Sequence, residues 1–150
     1  MAPKTTRVVA DASVIAKWFL EESGREHSLR LRTDFVAGAV GIACPALMPF
    51  EVMNAIRYSK KSLPESRVRA LGRSISLYGI ELYHLKGEYL EMTLEASMRN
   101  GLTVYDGSYL ALARTLGSVL YTADESLISS LGRSERALAR HIEEYPRQTA

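Results

Sequence analysis

Residues 8–18 read VVADASVIAKW. Their first three side chains form a short apolar run with two β-branched valines, a pattern typical of a buried strand. After Asp11 the spacing of the apolar residues changes, and Val14, Ile15 and Trp18 fall on one stripe of a helix. A carboxylate therefore stands where a predicted first strand ends, and open parallel sheets bind their ligands at that edge.

The length and composition of the chain set the broad class of protein. Its 150 residues, 47% hydrophobic and 24% charged, are typical of one globular domain with a sizeable core. We find no apolar run of the ~18 residues that a membrane span needs, and no segment typical of a signal peptide. Cys44 is the single cysteine, which excludes an internal disulfide. We therefore expect a cytoplasmic protein.

Neither the net charge nor the histidines indicate a function by themselves. The formal net charge of +2 is too small to predict nucleic-acid binding. The three histidines, at positions 27, 84 and 141, are scattered and lack the spacing of metal ligands. Candidate chemistry therefore rests on the carboxylates.

Short apolar strands alternate with helical patterns along the chain. Strands are predicted over residues 7–10, 41–44, 80–83, 119–122 and, in the tail, 139–142. Helices are predicted over residues 13–20, 25–39, about 46–61, 65–78, 87–100, 105–116 and 124–131. This alternation predicts an α/β fold with a central, mostly parallel sheet of four or five short strands and helices on both faces. We expect a single domain over residues 1–150, with residues 1–6 and 143–150 poorly ordered.

Four carboxylates are candidates for a single site. Asp11 and Asp124 each follow a predicted strand, Glu51 lies on the helix after the second strand, and Asp106 opens the helix before the fourth. If the first and fourth strands are neighbours, all four lie at one edge of the sheet. Each also has a simpler interpretation, because Asp is a favoured helix N-cap and Glu is favoured in a first turn.

Convergence of these carboxylates would have a chemical consequence. Like charges at close range repel one another and raise the pKa values of some of the groups. A hard divalent cation, Mg²⁺ or Mn²⁺, removes that conflict because it prefers oxygen ligands. Such a cation also activates water and neutralises charge on a phosphoryl group, so the pattern favours phosphodiester hydrolysis.

Four segments carry these carboxylates in order. They are residues 8–13 (VVADAS), 45–54 (PALMPFEVMN), 102–113 (LTVYDGSYLALA) and 121–125 (YTADE). Together they resemble the PIN-domain ribonucleases, and among them the VapC toxins of type II toxin–antitoxin systems. The resemblance implies a three-layer α/β sandwich and a Mg²⁺- or Mn²⁺-dependent endoribonuclease. Gly107 departs from the alanine common at that position, and we expect it to weaken the helix start by up to ~1 kcal/mol.

The resemblance also implies roles for individual residues. The family's catalytic, metal-binding carboxylates match Asp11, Glu51, Asp106 and Asp124. Polar positions around that cluster match Ser13, Asn54 and Thr122. By their place near the motifs, candidate RNA-binding cations are Lys17, Arg57, Lys60 and Lys61, although the two adjacent lysines also suit a solvated helix end. Tyr105 and Tyr109 suit either base stacking or the core.

Partners follow from the same resemblance. It implies an RNA substrate, a VapB-like antitoxin whose C-terminal segment blocks the acidic pocket, and a homodimer. Trp18, Phe19 and Tyr58 are candidates for the groove that receives the antitoxin, and equally for ordinary core positions.

Three other interpretations remain open at this point. A phosphoacceptor fold is disfavoured, because a haloacid-dehalogenase-like phosphatase has an Asp where Ser13 stands, and a receiver domain needs an acidic pair and a late lysine that we do not find. A catalytically inactive PIN-like module would use the acidic pocket only to bind a partner's Arg or Lys. An RNA-processing nuclease outside a toxin–antitoxin pair would keep the same chemistry.

Overall fold

The computed structural model describes residues 5–146 and contains one parallel sheet. Its strands are β1 (Thr6–Ala10), β2 (Val40–Pro45), β3 (Glu81–Tyr83), β4 (Leu120–Thr122) and β5 (Ala139–His141). They lie in the order β3-β2-β1-β4-β5, and every pair of neighbours is parallel. The predicted α/β fold with a parallel sheet is therefore confirmed, and the first and fourth strands are neighbours, which is the condition for their carboxylates to meet.

Helices fill the connections between the strands. They are α1 (Ala12–Ala16), α2 (Arg25–Val36), α3 (Met48–Arg57), α4 (Glu65–Leu77), α5 (Gly87–Asn100), α6 (Val104–Thr115), α7 (Glu125–Ser130) and α8 (Arg133–Arg136). Right-handed crossovers place α1–α4 on one face of the sheet and α5–α8 on the other, which gives three layers. Within residues 5–146, none of these helices is long and apolar enough to cross a membrane.

Three predicted helices end at least three residues earlier in the structure than in the sequence analysis. Helix α2, predicted to residue 39, ends at Val36, and α1 and α3 also stop short. Helix α1 stops at Ala16 instead of residue 20, because the next amides bond three residues back, as from Trp18 N to Ile15 O at 2.9 Å. Such tight turns commonly finish a helix by satisfying its last carbonyls. Helix α3 stops at Arg57, and residues 58–61 form a turn instead of a last helical turn.

The end of the described chain is ordered where we expected disorder. A short 3-10 helix, Ile142–Glu144, follows β5, and Ile142 and Tyr145 are buried. His27 Nδ1 lies 2.8 Å from the Tyr145 carbonyl oxygen, and the Tyr145 hydroxyl bonds to Asp34. These contacts tie the tail to α2, which sequence periodicity alone does not reveal. At the other end, Thr6 already belongs to β1, while residues 1–4 and 147–150 lie outside the described part.

Trp18 belongs to the core and not to a surface groove. Its side chain is 2% exposed, its Nε1 donates to the Ser28 carbonyl at 2.9 Å, and its ring lies 4.9 Å from that of Tyr78. The suggestion that Trp18 lines an antitoxin groove is therefore wrong. Phe19 is half-buried and packs on the core, whereas Tyr58 is 72% exposed.

Candidate active site

The central strands bring the two predicted strand-end carboxylates together. The amide of Asp11 donates to the Tyr121 carbonyl at 2.9 Å, so the end of β1 lies beside β4. A cavity of about 470 Å³ opens at this edge of the sheet. All four predicted carboxylates line it: Asp11, Glu51, Asp106 and Asp124.

Asp11 is held at the base of the cavity by two hydroxyl groups. Its Oδ2 accepts hydrogen bonds from Ser13 Oγ at 2.7 Å and from Thr122 Oγ1 at 2.8 Å. The same hydroxyl oxygens accept from the amides of Ala123 and Asp124, each at 3.0 Å. Burial raises the pKa of Asp11, and the two hydroxyl hydrogen bonds oppose that shift. Ser13 and Thr122 thus lie where the resemblance implies polar neighbours.

Glu51 enters the cavity from α3 and has a partner that the sequence analysis missed. Its Oε1 accepts a hydrogen bond from Tyr109 Oη at 2.8 Å. Burial raises the pKa of Glu51, the Tyr109 hydrogen bond lowers it, and the charges of Asp11 and Asp106 raise it further. Tyr109 follows Asp106 by three residues on α6, and this shared helix face was the available signal.

Asp106 lies in the first turn of α6 but does not cap the helix. Thr103 is the N-cap, and its side chain accepts from the Asp106 amide at 3.0 Å. Burial raises the pKa of Asp106, and the negative charge of Asp124 adds to that shift. The simpler interpretation of Asp106 as an N-cap is therefore wrong.

Asp124 both caps α7 and lines the cavity. Its Oδ1 accepts from the amides of Ser126 at 3.0 Å and Leu127 at 3.1 Å, and from Ser126 Oγ at 2.6 Å. The N-cap interpretation of Asp124 therefore holds, alongside its place at the site.

The donor set fits a hard divalent cation that keeps part of its water shell. The cavity offers carboxylate oxygens, and the pKa values of Asp11, Glu51 and Asp106 are raised by burial and by the charges of neighbouring carboxylates, which for Asp106 means Asp124. Within residues 5–146, no group of three or more His, Cys, Asp or Glu side chains is close enough together to hold a metal ion. Mg²⁺ usually binds through one or two carboxylates plus waters and substrate phosphates, so this open arrangement suits it.

The cavity wall also contains a cation and a carboxylate that form an ion pair. Lys17 is only 6% exposed; its Nζ donates to the Ser23 carbonyl at 2.7 Å and lies 3.6 Å from a Glu22 oxygen. Both side chains line the cavity. Sequence reasoning missed Glu22, because it lies in a turn with no motif.

Other predicted residues lie away from the cavity. Asn54 is exposed on α3 and does not line the cavity, although its neighbour Ala55 does. Arg57 and Lys60 are exposed, with the Arg57 guanidinium 5.0 Å from the Tyr58 ring centre. Lys61 pairs with Glu21 at 3.2 Å.

The other residue types near the cavity limit its chemistry. Cys44 is fully buried below it and donates to the Ala10 carbonyl at 3.1 Å. Burial raises the pKa of the Cys44 thiol, so it is not a thiolate nucleophile at neutral pH. Carboxylates are thus the reactive groups of this cavity.

Comparisons with known proteins agree with this geometry. A family model of the PIN domain matches residues 8–132. Ribonuclease VapC3 of Pyrobaculum aerophilum is 27% identical over 124 residues, which are 81% of this chain and 92% of that protein.

Two crystal structures resemble the fold. One is VapC20 of Mycobacterium tuberculosis, a toxin that cleaves the sarcin–ricin loop, with a TM-score of 0.63 and 14% identity over 82% of this chain and 94% of that one. The other is VapBC2 of Rickettsia felis bound to promoter DNA, with a TM-score of 0.61 and 13% identity, and the match covers 91% of this chain and 98% of that one. The family model spans most of the sequence and the folds agree, so this chain belongs to the PIN domain family.

Proposed function

We propose that this protein is a Mg²⁺- or Mn²⁺-dependent endoribonuclease toxin of the VapC kind, formed by a single domain. The observation that carries the proposal is the cavity at the end of β1, lined by the four predicted carboxylates and by the Lys17–Glu22 pair, with no cysteine or histidine among the described residues of its wall. The ribonuclease name of the Pyrobaculum relative supports the reaction, and the toxin and toxin–antitoxin names of the structural relatives support the biological role.

In this proposal the divalent ion binds among Asp11, Asp106, Asp124 and Glu51, to one or two of these carboxylates directly and to the others through its water ligands. When bound, the ion activates water and neutralises charge on the scissile phosphate. Ser13 and Thr122 keep Asp11 in one orientation through their hydrogen bonds to Oδ2. The reaction is hydrolysis: water oxygen bonds to phosphorus and the P–O3′ bond breaks, which leaves a 5′-phosphate and a 3′-hydroxyl.

A cleavage assay with a conservative variant tests the nuclease. A mixed pool of structured and single-stranded RNA is incubated with Mg²⁺, Mn²⁺ or EDTA. We expect metal-dependent cleavage by the wild type. In Asp11→Asn we expect the cleavage rate to fall at least about a hundredfold, because loss of a residue that only hydrogen-bonds to a metal ligand already lowers metal affinity or activity 10–100-fold. Asp34→Asn is the matched control, because Asp34 lies on α2 outside the cavity.

The outcomes separate the competing functions. Full cleavage by a folded Asp11→Asn variant would refute the site. If neither cleavage nor calorimetric Mn²⁺ binding occurs, the acidic cavity serves only to bind a partner's cation, as in an inactive PIN-like module.

We also propose a VapB-like antitoxin and a homodimer as the partners. Co-expression with a small open reading frame directly upstream should yield a complex with suppressed cleavage. Active protein that never associates with such a product would favour RNA processing. Light scattering should give about twice the 16.7 kDa of one chain.

A further inference from the structure

One buried phenol lies beneath the acidic cavity and reaches one of its carboxylates. Tyr109 is completely buried and is absent from the cavity wall, so it does not touch a ligand there. Its Oη donates to Glu51 Oε1 at 2.8 Å. The contact joins α6 to α3, two helices on opposite faces of the sheet.

The position of Tyr109 on α6 explains this contact. Asp106 and Tyr109 are three residues apart, so they lie on one side of the helix, with Asp106 in the cavity and Tyr109 one turn further along. A buried tyrosine hydroxyl needs a polar partner, and here the partner is a proposed metal-binding carboxylate. Glu51 itself is half-buried, and its neighbour Phe50 is 80% exposed, so solvent lies close to this part of α3.

We propose that Tyr109 is a positioning residue whose hydroxyl holds Glu51 in the orientation that a divalent cation in the cavity requires. One oxygen of Glu51 accepts the hydrogen bond from Tyr109, which fixes the orientation of the carboxylate. The other oxygen is then free to bind the ion or one of its water ligands. Without the hydroxyl, the flexible Glu51 side chain gains orientations toward solvent, and binding must then order it again. The inference rests on the proposed function, because it assumes that the cavity binds such a cation.

Removal of the single hydroxyl tests the inference. We expect Tyr109→Phe to bind Mn²⁺ 10–100-fold more weakly by calorimetry, as is typical when the partner of a metal ligand is lost. Tyr89→Phe is the matched control. Tyr89 is a buried tyrosine on α5 whose Oη donates to the Ser108 carbonyl at 2.9 Å, away from the cavity. Removal of the Tyr89 hydroxyl should leave the Mn²⁺ affinity within twofold of the wild-type value.

A double-mutant cycle separates positioning from general support of the fold. In a Glu51→Gln background, Tyr109→Phe should change Mn²⁺ affinity less than twofold, because the carboxylate that it positions is already gone. An equal loss in both backgrounds, or wild-type affinity in Tyr109→Phe, would overturn the inference. Should Tyr109→Phe not fold, Glu51→Asp withdraws the carboxylate from Tyr109 while keeping its charge. Wild-type Mn²⁺ affinity in that variant would also overturn it.

The same titrations distinguish this inference from the proposed function. If Asp11→Asn and Glu51→Gln both bind Mn²⁺ like the wild type, the acidic cavity is not the metal site and both proposals fail. If those variants lose affinity while Tyr109→Phe keeps it, the metal site stands and only the role of Tyr109 is refuted.

Discussion

At the scale of single residues, Gly107 shows how packing can reverse a helix preference. We expected this glycine to weaken the start of α6 slightly, and replacement of an exposed helical glycine by alanine does stabilise by up to ~1 kcal/mol. Gly107 is buried, however, and a Cβ there would lie 3.0 Å from the Thr93 carbonyl oxygen and 3.1 Å from the Ser97 amide. Backbone atoms of α5 therefore occupy the space that an alanine would need.

We predict that Gly107→Ala lowers the free energy of unfolding by about 1–3 kcal/mol, the usual cost of overpacking. Urea denaturation measures the change. Gly72→Ala is the matched control in α4, because its Cβ would meet only the flexible end of Met53, with Cε at 3.2 Å. It should be neutral or stabilising by up to ~1 kcal/mol. Stabilisation of both variants would contradict the close approach of α5 to α6.

At the scale of an element, the start of α7 combines a structural and a proposed catalytic duty in Asp124. Its Oδ1 accepts from two backbone amides of the first turn, while the residue also lines the acidic cavity. Serine is an N-cap about as good as aspartate but does not carry a charge. The two duties are therefore separable by substitution.

We predict that Asp124→Ala loses about 1 kcal/mol of unfolding free energy together with metal-dependent RNA cleavage. Asp124→Ser should recover most of the stability but none of the cleavage. Urea denaturation and the RNA assay are performed on the same preparations. Cleavage by the serine variant at the wild-type rate would mean that Asp124 is a helix cap only.

At the scale of the whole molecule, the buried carboxylates of the acidic cavity make stability depend on pH. Burial is the largest cause of the raised pKa values of Asp11, Glu51 and Asp106. A carboxyl whose pKa is higher in the folded than in the unfolded state stabilises fully below its unfolded pKa, and this contribution disappears as the pH rises through the folded pKa. The metal-free protein therefore loses these contributions as the pH rises from about 4 toward neutrality.

We predict that, in EDTA, Asp106→Asn is more stable than the wild type at pH 7 by a fraction of a kcal/mol, since Asp106 is half exposed and solvent screens its charge. The advantage should shrink as the pH falls toward 4, because the raised pKa of Asp106 lets the folded wild type take up this proton before the unfolded chain does. Urea unfolding at each pH measures the difference, with Glu91→Gln as control because Glu91 is exposed on α5 and outside the cavity. Excess Mg²⁺ should reverse the order at pH 7 by stabilising only the wild type. An unchanged order with Mg²⁺ would contradict metal binding by Asp106.

The sequence by itself determined the α/β class, the parallel sheet and the set of four carboxylates. Hydrophobic period distinguishes strand from helix locally, and Asp11 and Asp124 follow strands directly. Because the carboxyl ends of parallel strands share one edge, their positions along the chain implied their positions in space. The motifs around them also pointed to the PIN domain family, which the family model confirmed.

Only the tertiary structure decided which side chains meet across the fold. Trp18 lies in the core, Asn54 is absent from the cavity wall, and the tail after β5 packs on α2. The bond from Tyr109 to Glu51 joins residues 58 positions apart. Such contacts depend on how helices from two layers pack against one sheet. The periodicity of each helix reveals its buried side, but it does not identify the residue that the buried side contacts.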